Sequence, residues 1–160
     1  MLPAIPASES ETNNAYFSPG YACQQAIISA LANAQQSIKI CVFTISDDQI
    51  TKAILEAHQR KIPILLLTDN EKLTDLGSDI KELAQAGLEI RTDNTRNHMH
   101  HKFAIIDNST LITGSYNWTR SAALYNHENI IVTTNRTLVS DFLQQFDALW
   151  PNMTPFAVTL

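Results

Sequence analysis

The segment 98–117 constrains the fold most, because its residue pattern predicts two short strands joined by a tight turn. Residues 102–107 are apolar and partly β-branched, as a buried strand requires. Residues 107–110 have the composition of a turn, and residues 111–113 form the returning strand. Gly114 then permits a tight backbone bend. The segment therefore predicts a β-hairpin whose open end carries polar side chains.

Four groups suited to phosphate-ester chemistry gather at the open end of this hairpin. His100 and Lys102 are two residues apart, so the alternation of a strand points both to one side. The returning strand brings Ser115 and Asn117 back towards them. A neutral imidazole can attack phosphorus, and a protonated one can supply a proton to the leaving oxygen. Because lysine, serine and asparagine donors can hold phosphoryl oxygens, the set predicts attack on a phosphate ester with no metal and no other cofactor.

The spacing of these residues resembles the signature of the phospholipase D superfamily: His100-x-Lys102-(x)4-Asp107-(x)6-Gly114-Ser115-x-Asn117. Residues 16–19, 37–43 and 126–129 resemble segments of the small single-motif bacterial endonucleases of that superfamily. The resemblance covers roughly residues 15–150 and departs at Lys61, where relatives usually carry glycine in a turn. It implies that His100, Lys102 and Asn117 are catalytic, and that Ser115 helps to bind the phosphate.

The resemblance also implies two carboxylate roles and an assembly. Glu128 matches the family carboxylate that fixes the histidine tautomer, and Asp107 matches a position that anchors the motif loop more than it takes part in the chemistry. Superfamily sites combine two motifs, and this chain has one copy, so we expect a homodimer in which both His100 rings face one phosphorus. One ring would form a phosphohistidine while the other protonates the leaving alkoxide.

Other roles are open to single residues near the motif. His98, His100 and His101 offer an alternative metal site, since His-x-His on a strand is common ligand geometry. Lys102 on the same face as His100 would repel the cation, so we expect no metal. His101 points to the opposite face and is expected to be a packing residue. Tyr116 and Trp118 are expected in the core or in a groove wall, with stacking on a base as the alternative.

Three functions compete for this chemistry. The leading prediction is an endonuclease acting on DNA, or on RNA, with little sequence preference. The alternatives are a phospholipid hydrolase, for example of cardiolipin, and a catalytically silent nucleic-acid-binding module. The net charge of −5, from 11 basic and 16 acidic residues, weighs against a nucleic-acid partner. No basic amphipathic helix is evident, so no stable membrane association is expected.

Helical and strand patterns alternate around the hairpin, which predicts an α/β fold with a mixed sheet sandwiched between helices. Strands are expected at 37–43, 62–68, 88–91 and 128–134, and helices after Gly20, after a capping box at 46–49, at 75–86, at 119–125 and at 138–149.

We expect a flexible lead at residues 1–14 and one catalytic domain at residues 15–160. The lead fits either a cytoplasmic protein or a mature secreted one. The resemblance implies a periplasmic or secreted protein, because the related bacterial nucleases are often exported. Cys23 and Cys41 are expected to be buried thiols and not a disulfide.

Overall fold

The computed structural model describes residues 10–158, and within them eight strands form one mixed β-sheet. In chain order the strands are β1 (Asn13–Ser18), β2 (Ile38–Val42), β3 (Ile64–Thr68), β4 (Glu89–Thr92), β5 (Lys102–Ile106), β6 (Thr110–Gly114), β7 (Glu128–Thr133) and β8 (Thr154–Phe156). Their order across the sheet is β1-β7-β6-β5-β2-β3-β4-β8. β2, β3 and β4 run parallel to one another, and the other neighbouring pairs are antiparallel.

Helices cover both faces of this sheet. They are α1 (Ala22–Ala32), α2 (Asp48–Gln59), α3 (Ile80–Gln85), α4 (Arg120–Leu124) and α5 (Arg136–Leu149), with 3-10 turns at Asn70–Lys72 and Trp150–Asn152. The first four helices contribute to one apolar cluster, and α5 contributes Val139 and Phe146 to a second cluster. The predicted α/β sandwich is therefore confirmed.

The central strand β5 is buried on both sides, which explains its uninterrupted apolar sequence. Ala104 and Ile106 pack in the cluster below α1–α4, whereas Phe103 and Ile105 pack in the cluster below α5. Burial of each large apolar side chain contributes about 1.5–3 kcal/mol. The strand is thus a fixed platform for the polar residues that precede it.

The predicted hairpin is confirmed, and its turn is made by Asp107 and Asn108. Both have positive φ, of 55° and 52°, and the Ser109 amide donates to the Ile106 carbonyl over 3.0 Å. This is a type I′ turn, in which aspartate and asparagine tolerate the left-handed backbone better than other non-glycine residues. Lys61 also has a positive φ of 68°, a backbone conformation that favours the glycine implied by the resemblance at this position.

Several boundaries differ from those predicted. The N-cap of α2 is Asp47 and not Ser46, since its carboxylate accepts from the amides of Gln49 and Ile50. The predicted helix 75–86 begins only at Ile80, because residues 75–78 form a turn through a bond from the Ser78 amide to the Asp75 carbonyl. Strand β8 was missed because it has three residues including Pro155, which an edge strand tolerates.

The predicted lead, residues 1–14, lies largely outside the described residues. Its last two residues, Asn13 and Asn14, belong to β1 and pair with Thr133 and Val132 of β7. Cys23 and Cys41 are buried free thiols in separate apolar clusters, as expected. Between residues 10 and 158, no helix combines the length and the apolar composition needed to cross a bilayer.

Candidate active site

One edge of the sheet collects the predicted site residues. The antiparallel register of β5, β6 and β7 places the start of β5, the end of β6 and the start of β7 side by side. Lys102 is the first residue of β5, Gly114 the last of β6 and Glu128 the first of β7. His100 shortly precedes β5 and Ser115 directly follows β6. Strand pairing therefore brings together residues that are up to 28 positions apart in the chain.

Gly114 is required here for close approach and not for the predicted bend. A Cβ at this position would overlap the carbonyl oxygen of Asn129 and lie 2.8 Å from the Cα of Ile130. The next residue, Ser115, is fixed to the same strand, because its amide donates to the Asn129 carbonyl over 3.0 Å. Its hydroxyl oxygen also accepts from the Asn129 amide over 3.1 Å. The contact of β6 with β7 thus sets the position of the serine.

His100 and Lys102 contact each other directly. The Lys102 ammonium lies 3.0 Å from His100 Nδ1 and donates to the His100 carbonyl over 2.9 Å. An ammonium is a donor only, so Nδ1 must accept and a neutral ring carries its hydrogen on Nε2. In this arrangement the Lys102 contact selects the tautomer of the His100 ring.

The electrostatic surroundings lower the pKa of both groups. Burial lowers the pKa of His100 below 6.5, and the nearby charges of Lys102 and His98 lower it further, against a smaller opposing effect of Asp69. Burial lowers the pKa of Lys102 below 10.5, and the charge of Glu128 partly opposes this. The lowered pKa of His100 favours a neutral imidazole, and a neutral imidazole beside an ammonium is the pair that nucleophilic attack on a phosphate ester needs.

Phe43 forms an aromatic floor under these side chains, which sequence reasoning did not identify. Its ring centroid lies 4.5 Å from that of His100 and 5.2 Å from that of His98, and the Lys102 ammonium lies 5.6 Å from it. Phe43 directly follows β2, at the same edge of the sheet. Its position after a central strand was the available signal, since that edge also carries the motif.

Asp69 is a second contributor that the sequence analysis missed. It is fully buried after β3, and its carboxylate accepts the Met99 amide over 2.7 Å and the Glu71 amide over 2.9 Å. The same carboxylate lies 3.5 Å from His98 Nδ1. Asp69 therefore ties the residues on both sides of Met99, including His100, to the end of a central strand. An acidic residue directly after an apolar strand was the sequence signal.

The three histidines of the alternative metal site do not converge. The His101 ring lies edge-on to Phe103, 5.4 Å away, on the opposite side of the strand, but the residue is exposed and not packed in the core as predicted. Another group could hold an ion: Asp69, Glu71 and His98 each offer a ligand atom, and these atoms lie within 4.8 Å of one another. Both oxygens of Asp69 already accept backbone amides, so this group is satisfied as an internal hydrogen-bond cluster.

Asn117 lies two residues beyond Ser115 and is half-buried. Its side-chain oxygen is buried without a hydrogen-bond partner among the described residues. The Asn117 side chain thus makes no hydrogen bond among the described residues, and its Nδ2 is the atom that can donate to a phosphate oxygen. Tyr116 and Trp118 on either side are each only 1 % exposed and belong to the apolar cluster under α1–α4, so they are core residues and not stacking platforms.

Asp107 lies away from these residues, at the other end of β5. Five strand residues separate the two ends, which corresponds to about 17 Å. Its carboxylate accepts the backbone amides of Gln35, Gln36 and Ser37 at 2.7–3.1 Å. Partial burial raises the pKa of this carboxyl, but the three amide donors outweigh it and hold the pKa below 3.8. The geometry is that of an anchor.

Comparison with known proteins assigns the chain to a family. Residues 27–150 match the family model described as "Cardiolipin synthase, PLD-like domain". The chain is 46% identical over 120 residues to a protein of Chlamydomonas reinhardtii named "Mitochondrial cardiolipin hydrolase", covering 75% of this chain and 54% of that protein. It is 39% identical over 129 residues to the protein of the same name from Xenopus tropicalis, covering 81% of this chain and 61% of that one. The chain thus spans little more than half of the length of these relatives.

A solved structure supports the same assignment. The "phospholipase D family member, Nuc from Salmonella typhimurium" superposes with a TM-score of 0.87 at 27% identity, covering 93% of this chain and 100% of that one. The match of residues 27–150 to the family model and this superposition place the chain in the single-domain branch of the phospholipase D superfamily.

Proposed function

We propose that this domain is a phosphodiesterase that hydrolyses phospholipids of the cardiolipin class. The observation that carries the chemistry is the His100–Lys102 contact at the sheet edge where the bonds to Asn129 also position Ser115. The two relatives named cardiolipin hydrolases share 46% and 39% of aligned residues with this chain, against 27% for the Nuc structure. These names favour a phospholipid hydrolase over the endonuclease that was the leading prediction from the sequence.

Attack at phosphorus needs a change in the resting contact between His100 and Lys102. Because Nδ1 accepts from the ammonium, the ring carries its hydrogen on Nε2 and has no lone pair there. A bound phosphate would draw Lys102 from the imidazole onto a phosphoryl oxygen, with Ser115 and Asn117 as further donors. The hydrogen then moves to Nδ1, and Nε2 becomes the nucleophile.

The reaction proceeds by two displacements. In the first, His100 Nε2 forms a bond to phosphorus while the bond from phosphorus to the leaving alkoxide breaks. The alkoxide takes a proton from the His100 imidazolium of a second copy of the chain. In the second, that imidazole takes a proton from water, the hydroxide oxygen bonds to phosphorus, and the phosphohistidine bond breaks. The products are an alcohol and a phosphomonoester, and both imidazoles return to their starting state.

The shared site predicts a dependence on dimers that a mixing experiment can measure. His100→Ala chains are mixed with native chains and allowed to exchange subunits. If each site needs His100 from both chains, only native dimers are active, and activity falls as the square of the native fraction. A linear fall, or a monomer sedimenting during turnover in the ultracentrifuge, would contradict the homodimer.

An endonuclease is the second candidate, and the Nuc superposition is the observation that favours it. The alignment covers 100% of that chain. The net charge of −5 opposes it, because nucleic-acid binding draws on clustered basic residues. The same charge also disfavours anionic membrane surfaces, so it does not decide between the substrates.

A substrate panel in EDTA tests the proposal. Native and His100→Ala proteins are incubated with cardiolipin-containing vesicles, phosphatidylcholine vesicles, plasmid, single-stranded DNA and RNA. We expect the native protein to release phosphatidic acid from cardiolipin, and His100→Ala to lower the rate at least 10³-fold with an unchanged melting temperature. Cleavage of nucleic acid alone would establish the endonuclease, and binding without turnover would establish a silent module. Loss of native activity in EDTA would point to the cluster of Asp69, Glu71 and His98.

A further inference from the structure

A groove of about 580 Å³ opens beside His100. One wall is the loop that carries the motif histidines, and the other is the segment 149–153, where α5 ends. His100 lines this groove, whereas Lys102, Ser115 and Asn117 do not. His100 therefore borders the groove and also contacts Lys102, which lies outside it. The volume is typical of sites that enclose a small ligand.

The groove has an apolar floor continuous with the core. Met99, Leu149 and Met153 line it, and all three belong to or pack against the cluster formed by α5 and the central strands. Met99 is 6 % exposed, and the other two are half-buried. Apolar atoms of the core thus face the opening beside the reactive imidazole, where an apolar ligand would remove them from water.

The groove lacks the basic side chains that bind a polyanion such as a nucleic acid. None of its lining residues, all within the described part of the chain, is lysine or arginine. Asp93 is the acidic group in the wall, and its carboxylate already accepts from the Asn70 amide and the Thr95 hydroxyl. Burial, together with the charge of Lys102, lowers the pKa of His101 below 6.5, which keeps that ring neutral at pH 7. A nucleic-acid strand requires basic side chains along its path, and this groove offers none.

We propose that this groove binds the acyl-bearing glycerol of a phospholipid while the phosphate lies against Lys102, Ser115 and Asn117. The inference rests on the proposed phosphodiesterase function and adds where its substrate specificity arises. A groove with an apolar floor and no basic side chain lies on one side of His100, and the Lys102 ammonium contacts the same ring. A glycerophospholipid has the matching arrangement, because its apolar chains and its anionic diester are joined through a short glycerol.

Two soluble esters that differ only in their acyl chains test the proposal. One is monomeric dihexanoylphosphatidylglycerol, and the other is glycerophosphoglycerol, which has the same diester without the chains. Native protein should hydrolyse the acylated ester with kcat/KM on the order of 10-fold or more above the deacylated one. Equal values for the two esters would overturn the groove proposal without any variant being made.

A pair of variants on α5 then locates the preference. Leu149→Ser alters the groove, and Leu143→Ser is the matched control, because Leu143 is equally half-buried in the same cluster but lines a different cavity. Leu149→Ser should lower kcat/KM for the acylated ester about 10-fold and leave the deacylated ester unchanged. Leu143→Ser should leave both rates unchanged. Equal losses on both esters in Leu149→Ser would contradict the proposal.

A chromogenic diester separates this inference from the proposed function. Bis(4-nitrophenyl) phosphate has no acyl chains, so it reports the phosphodiesterase chemistry alone. If native protein cleaves it but does not distinguish the two glycerol esters, the groove proposal is wrong and the phosphodiesterase is retained. If native protein cleaves none of the three esters, the proposed function fails and the groove proposal fails with it.

Discussion

The two ends of strand β5 belong to one sequence motif but are held in opposite ways. At the Asp107 end, backbone amides of Gln35, Gln36 and Ser37 donate to a carboxylate whose pKa they lower. At the His100 end, the Lys102 ammonium contacts Nδ1 of the His100 ring and donates to the backbone carbonyl of His100. At the first end the carboxylate is occupied by backbone amides, while the second end holds its donors in contacts that a phosphate can replace.

The difference separates two tasks within ten residues. A carboxylate that accepts several amides gains about 1.5–3 kcal/mol per charged hydrogen bond and fixes the turn where the strand ends. The contact between Lys102 and the His100 imidazole orients both groups towards a ligand. Motif spacing therefore combines an anchor with a reactive pair, and mutations at the two ends should affect different measurements.

The largest effect is expected at Asp69, the buried carboxylate that holds the loop before β5. Asp69→Asn keeps one acceptor oxygen but weakens the hold on the Met99 amide, which lies next to His100. A misplacement of about 1 Å can cost roughly 10²-fold in rate, so we expect kcat to fall 10- to 100-fold. Asp69 also raises the pKa of His100, so the acidic limb of the pH–rate profile should move to lower pH.

Asp79→Asn is the matched control for this variant. Asp79 is a buried carboxylate that accepts from the Thr51 hydroxyl, and it contacts neither His100 nor the loop before β5. We expect this variant to leave kcat and the acidic limb where they are in the native protein. An equal loss in both variants, with no shift of the limb for Asp69→Asn, would show that Asp69 is merely structural.

An intermediate effect is expected at Asp107, and it concerns the free energy of unfolding and not the rate. Asp107→Asn removes the charge from its hydrogen bonds and should lower the free energy of unfolding by about 1 kcal/mol at pH 7. Because the folded pKa of Asp107 is lowered, its stabilisation is present above pH 3.8 and is lost as the pH falls through the folded value. The native and variant stabilities, measured by urea unfolding, should thus converge in acid. A constant difference down to pH 2 would contradict the anchor role.

The comparison also shows which parts of the molecule were readable from sequence. The hairpin, the central strands and the α/β class were predictable because local alternation and turn chemistry determine them. Phe43 and Asp69 were not identified, because their proximity to His100 arises from the order of β2 and β3 in the sheet. Gly114 was predicted for the wrong reason, since the cause is the approach of a strand that follows fourteen residues later.

The smallest effect is expected at Glu128. It distinguishes the role that the resemblance implies, which is fixing the histidine tautomer, from an electrostatic effect on Lys102. In this structure its charge raises the pKa of Lys102, and Glu128 is not among the groups that shift the pKa of His100. Glu128→Gln should therefore lower the pKa of Lys102 and move the basic limb of the pH–rate profile to lower pH. The maximal rate and the acidic limb should stay close to native values. A carboxylate that fixes the histidine tautomer would behave differently, because its loss would lower turnover at every pH, as removal of the aspartate does in serine proteases. A full pH–rate profile with bis(4-nitrophenyl) phosphate separates the two roles, since one shifts a limb and the other lowers the plateau.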